Sequence, residues 1–305
     1  MVSFLGTIVA FAFGILWSFT LVAVYIKYSP QPDNPACNAG GGSCSNAKVI
    51  GLIVFITFSG YWISEVIKNV IHTTICGTYG AVYYAANPQS VVRHPAAGAF
   101  KRSMTYSFGS ISLGSLLVAI VQFLKQAAAY GRQAEASEGN TIMSFVFCFL
   151  QCFIGILEWA AEFFNHYAYT EIALFGKAYI PAAKDTWHLI KDRGIDAMIN
   201  DCLIDSILTM GSTAVAYLTC FLAYLYIEFT NPPYNSTGAY TPVFLAFAFL
   251  IGLQITNIAV VALKSGTATL FVALAENPEA MRGNNPYLFD RIVQTYPRVQ
   301  WGIHS

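Results

Sequence analysis

Long apolar runs separated by short polar stretches set the pattern of this chain. Windows of about 20 residues mark six of them, near 4–26, 49–72, 104–124, 141–163, 203–228 and 242–263. A helix rising 1.5 Å per residue over such a run crosses a hydrocarbon core of about 30 Å. The expected fold is all-α: a polytopic helical membrane bundle over 1–275, followed by a tail over 276–305.

Two runs are too long for one crossing. The second continues through Thr73–Ala86 (TTICGTYGAVYYAA), with glycines at 77 and 80. A straight helix through all of it would reach on the order of 55–60 Å. The expectation is a break near Cys76–Gly80, followed by an interfacial or re-entrant piece buried in protein. The fourth run continues through Tyr167–Pro181 at intermediate hydropathy, which predicts a second short interfacial helix.

Composition sharpens this picture. Charged residues make up 10% of the chain and hydrophobic ones 56%, against about 25% charged in an average soluble domain. Mean hydropathy is +0.53. The net charge is zero, so nothing points to nucleic acid. The contacts expected are with membrane lipid.

Polar residues inside the apolar runs are the candidate chemistry. In the second run Glu65, Asn69 and His72 follow at i, i+4 and i+7, and so share one helix face, beside Tyr61 and Trp62. The fourth run repeats the combination. Glu158 and Glu162 are four apart, Trp159 is adjacent, and Asn165 and His166 lie one turn on. Ionisable groups at membrane depth are costly and face a bundle interior or a water-filled path. If the two helices pack together, these residues outline an acidic, aromatic cavity open to the inner side. Carboxylates and ring faces suit an organic cation, each cation–π contact contributing about 0.5–2 kcal/mol. Alternatively, the same groups only hydrogen-bond between helices.

The other runs carry weaker markers. Ser107, Ser110 and Gly114 form a small-residue face suited to close helix approach. Asp201 and Asp205 stand where the fifth run begins, as acids that complement a helix dipole. Gln254 and Asn257 lie near the centre of the sixth, either as interhelical glue or on a permeation path.

Loop charges predict orientation. Arg93, Lys101, Arg102, Lys177, Lys184, Lys191, Arg193, Arg282, Arg291 and Arg298 fall on one side, and Lys27, Lys48, Lys125 and Arg132 on the other. Ten against four is a positive-inside bias that puts both ends of the chain in the cytoplasm. The first run opens at Met1 without a basic flank, and an N-terminal portion is expected to precede it. Cys37 and Cys44 then lie in an outside loop on the oxidising side with three glycines between them, and are expected to form a disulfide rather than remain two free thiols. The sequon Asn235-Ser236-Thr237 sits in an outside loop barely long enough for glycan transfer.

Familiar enzyme signatures are absent: there is no Walker loop, GxGxxG, HExxH or GxSxG. No cofactor or metal is called for.

Several blocks in order resemble the choline transporter-like family, in particular its fungal branch. The first runs from Tyr61-Trp62 through Glu65, Asn69 and His72. The second is Lys101-Arg102 leading to Ser107-Phe108-Gly109-Ser110 and Gly114-Ser115. The third is Asn165-His166-Tyr167-Ala168-Tyr169 with Gly176-Lys177, Ala183-Lys184-Asp185 and Asp205. A weaker fourth is Ala275-Glu276-Asn277-Pro278 ahead of Pro286-Tyr287. The resemblance implies a ten-span protein of which these six spans are the C-terminal portion. It also implies transport of choline or a related amine across the plasma membrane.

Two functional classes follow. One is a carrier for a small organic cation, exchanging against protons through Glu65, His72 or Glu158. The other is a non-transporting scaffold or regulator whose polar stripes only join helices. The sequence carries no signal of oligomeric state.

Overall fold

Each apolar run forms one long helix. The computed structural model describes residues 1–29, 46–85, 93–193, 195–230, 235, 238 and 240–295, and every regular element among them is helical. In chain order these are α1 (Val2–Tyr28), α2 (Asn46–Tyr83), α3 (Pro95–Thr105), α4 (Phe108–Ser137), α5 (Thr141–Phe175), α6 (Tyr179–Arg193), α7 (Ile195–Thr230), α8 (Thr241–Glu276), α9 (Pro278–Asn284) and α10 (Pro286–Thr295). Helices α1, α2, α4, α5, α7 and α8 are long and apolar enough to cross a membrane. Their outward faces carry large apolar side chains such as Phe11, Phe19, Phe145 and Phe149, a surface that only lipid or further protein can cover. The chain is a multi-pass membrane protein. Cys37 and Cys44 lie outside the described residues.

The expected break near Cys76–Gly80 is not there. Helix α2 runs unbroken for 38 residues, about 57 Å. Its glycines serve close packing instead. A Cβ at Gly77 would lie 3.0 Å from Ala99 of α3 and 3.8 Å from the Ala173 carbonyl of α5, and one at Gly80 would strike Leu174. The threonines here spend their hydroxyls on their own helix: Thr73 on Asn69 O, Thr74 on Val70 O and Thr78 on Thr74 O. That satisfies polar groups without opening the backbone ladder.

The expected interfacial helix over 167–181 is also redrawn. Helix α5 continues to Phe175 and stops at Gly176, whose φ of 67° closes the end in the left-handed region. The short helix, α6, begins only at Tyr179. An amphipathic α3 precedes the third crossing, which starts at Phe108 rather than 104.

The excess length of α2 and α5, with α3 and α6 against it, builds a buried layer at one end of the bundle. Val70, Ile111, Tyr169, Ile172, Tyr179 and Ala182 form one apolar cluster there. Tyr167, Ala268 and Val272 form a second, between α5 and α8. Tyr83 donates to Asn277 O (3.0 Å) and Asn284 to Tyr83 O (2.9 Å), tying the end of α2 to the end of α8 and to α9. Four basic loop residues, Arg93, Lys101, Arg102 and Lys177, belong to this end.

Candidate functional site

The first polar stripe meets the second where α2, α4 and α5 converge. Lys68 stands one turn beyond Glu65 on α2. Its Nζ lies 3.4 Å from Glu65 Oε1 and 3.1 Å from Glu162 Oε1 on α5. Gln122 of α4 donates to the same two oxygens, at 3.0 and 3.4 Å. One ammonium and one amide thus join two carboxylates from different helices. The Glu65 side chain is 10% exposed and that of Glu162 39%. Two carboxylates against one ammonium leave one negative charge in excess when both are ionised.

Glu158 is held elsewhere. Lys125, three residues beyond Gln122 on α4, reaches Glu158 Oε2 at 2.5 Å. Because α4 and α5 run antiparallel, Gln122 faces Glu162 while Lys125 faces Glu158 one turn away. Trp159 stands exposed and stacks on Phe163 with centroids 5.9 Å apart. The structure therefore brings Glu65 to Glu162, and leaves Glu158 and Trp159 outside that contact.

The rest of the first stripe joins helices. Trp62 donates to Ser112 O at 3.1 Å, and Asn69 to Ser115 Oγ at 2.9 Å, both on α4. Tyr61 is half-buried. His72 is buried, with Nδ1 2.9 Å from Ser265 Oγ on α8 and Nε2 2.9 Å from His166 O on α5. Its ring stacks on that of His166, 4.1 Å between centroids, and the thiol of buried Cys76 lies 3.6 Å from Nε2. Asn165 donates to Gly114 O (3.2 Å) and accepts from Tyr179 Oη (2.6 Å). The small-residue face of α4 thus does allow close approach: a Cβ at Gly114 would collide with Tyr169 Oη and the Tyr179 ring.

Beside Lys68, a cavity of about 320 Å³ opens between α1, α2 and α8. Its polar lining includes Thr7, Ser64, Lys68, Gln254 and Asn257. Lys68 touches the carboxylate pair on one side and this cavity on the other. Asp205 does not cap a helix, because α7 begins ten residues earlier, at Ile195. It pairs with Lys264 of α8.

Sequence reasoning missed Lys68, Gln122 and Lys264. A signal for two of them was present. Of 16 basic residues, fourteen fall in the loops and tail named above, leaving Lys68 and Lys264 within apolar helices. At membrane depth each needs an acid partner, and each has one. Lys125 was read as a loop residue because the apolar window ends at 124, whereas α4 continues to Ser137.

Outside the crossing helices, Lys177 bridges Glu171 Oε2 (3.2 Å) and Asp185 Oδ2 (2.7 Å). Burial alone would lower its pKa, but the hydrogen bond it donates to Asp185 and the charge of Glu171 outweigh that and hold it above the usual lysine value.

Comparison with known proteins settles the family. The family model described as plasma-membrane choline transporter matches residues 1–279. The chain belongs to the choline transporter-like family. It is 52% identical over 300 residues to Protein PNS1 of Gibberella zeae, covering 98% of this chain and 55% of that protein. It is 51% identical over 306 residues to the Aspergillus fumigatus pns1 protein, covering 99% and 57%. With the Saccharomyces cerevisiae PNS1 protein the identity is 50% over 301 residues, covering 98% and 56%. The chain thus spans little more than half the length of these fungal relatives. Membership makes it a choline transporter-like membrane protein, of a family that is not an enzyme class.

Proposed function

We propose that the protein carries a small organic cation, choline or a related amine, across the plasma membrane, and that Glu65 and Glu162 bind it. The observation that carries this reading is the shared coordination of those carboxylates: both approach one lysine and one glutamine within apolar helices, so that when both are ionised one negative charge is left over. Such a charge is costly in a low-dielectric surrounding, and a monovalent cation cancels it. The adjoining cavity between α1, α2 and α8 offers space for a small amine. Tyr61 and Trp62, one turn before Glu65, supply aromatic surface. Asn69 and His72 serve the site by fixing α2 against α4, α5 and α8.

In this reading the cation is exchanged against protons. The positive-inside bias supports a cytoplasmic position for the layer formed by α3, α6 and the ends of α2, α5 and α8, and for both ends of the chain. Uptake by proteoliposomes against a panel of labelled amines, with pH varied separately on each side, tests this reading. Saturable uptake of a quaternary or primary amine, driven by an opposing proton gradient, is expected. Uptake no greater than in empty liposomes for every amine would reject it.

A further inference from the structure

We propose that Lys68 is a tethered counter-ion that fixes the net charge of the Glu65–Glu162 site at minus one and so restricts it to monovalent cations. This rests on the transport reading above and adds what selects the substrate's charge. The described hydrogen bonds reach only Oε1 of each carboxylate, although each carboxylate oxygen can accept more than one. Acceptor capacity therefore remains beside Lys68 and Gln122. Of these two partners only Lys68 is charged. The neighbouring charged groups, Lys125 and Glu158, neutralise each other at 2.5 Å.

The position of Lys68 suits this role. An ammonium has three donors, and two are engaged by Glu65 and Glu162. The side chain is 58% exposed and lines the cavity with Ser64, Thr7, Gln254 and Asn257. A cation arriving through the cavity meets Lys68 before it reaches either carboxylate. With Lys68 present, one further positive charge brings the site to neutrality, while a dication leaves it positive. Without Lys68 the site carries two negative charges, which a dication matches. Unit charges a few ångströms apart at an effective dielectric near 20 change affinity by about tenfold or more.

The test compares uptake of labelled choline and of a short diamine such as putrescine by proteoliposomes. Wild type should take up choline and little diamine. Lys68→Gln should move the diamine-to-choline ratio at least about tenfold towards the diamine, and Lys68→Gln with Glu162→Gln should return it, because the net charge is minus one again. An unchanged ratio in a monodisperse Lys68→Gln protein overturns the proposal. Should that variant fail to fold, Glu162→Gln alone decides. It leaves Glu65 and Lys68 at net zero, so choline uptake should be lost, and retained uptake overturns the proposal. Failure of the wild type to move any organic cation would instead sink the transport reading on which this inference stands.

Discussion

Lys125 reaches Glu158 at 2.5 Å, one turn along α4 from the glutamine that joins Glu65 to Glu162. Five acids and bases on α2, α4 and α5 thus divide into a closed neutral pair, Lys125 with Glu158, and an open site with excess charge, Glu65, Lys68 and Glu162. Glu158→Gln should leave the Lys125 ammonium without its acid at membrane depth. Removing one partner of a buried pair costs about 3–5 kcal/mol, and the partial exposure of this pair reduces that to roughly 1–3 kcal/mol. Thermal unfolding in detergent should show the loss, and Lys125→Gln added to Glu158→Gln should recover part of it. A Glu158→Gln protein as stable as wild type would mean that the pair contributes nothing.

The contrast between two glycines of α4 tests the packing. Nothing lies within 4 Å of a Cβ built at Gly109, whereas one at Gly114 meets Tyr169 and Tyr179. Gly114→Ala should destabilise by about 1–3 kcal/mol through overpacking, and Gly109→Ala should be neutral or stabilising through helix propensity. Equal effects in thermal unfolding would contradict the placement of α6 against α4.

The sequence made the six crossings legible because lipid demands long uninterrupted apolar runs. It did not reveal the unbroken course of α2, because Gly77 and Gly80 signal a break as readily as a close contact. Only the neighbours decide: Ala99, Ala173 and Leu174 lie against those glycines. The acids of the site were visible as intramembrane charges. Their pairing was not, since spacing along α2 and α5 cannot say whether Glu65 meets Glu158 or Glu162. That choice follows from the register in which Gln122 and Lys125 of α4 face α5. Lys68 was legible in principle, as a basic residue one turn from Glu65 inside an apolar run.

The sequon at Asn235 should carry no glycan. Its Nδ2, the atom that would bear the sugar, donates to Thr241 Oγ1 at 2.8 Å, and its Oδ1 accepts from Tyr240 N at 3.1 Å. Residue 235 is also buried. Endoglycosidase treatment of protein from native membranes, and the Asn235→Gln variant, should leave electrophoretic mobility at this site unchanged. A mobility shift confined to this sequon would show that the turn opens to the transferase.

Orientation is tested at α6. His188 is exposed there, and the orientation proposed from the basic-loop bias would place it in the cytoplasm. A single cysteine introduced as His188→Cys, in a background without other reactive thiols, should react with an impermeant maleimide only after permeabilisation. Labelling in intact cells would invert the topology.

Glu65 and Glu162, which share Lys68 and Gln122, are proposed to bind the substrate cation together. The most direct measurement is equilibrium binding of radiolabelled choline to purified wild type, Glu65→Gln and Trp159→Leu. The account predicts at least about a tenfold loss of affinity for Glu65→Gln, and wild-type affinity for Trp159→Leu, whose ring stands outside the carboxylate contact. Folded Glu65→Gln protein binding choline as tightly as wild type would contradict it.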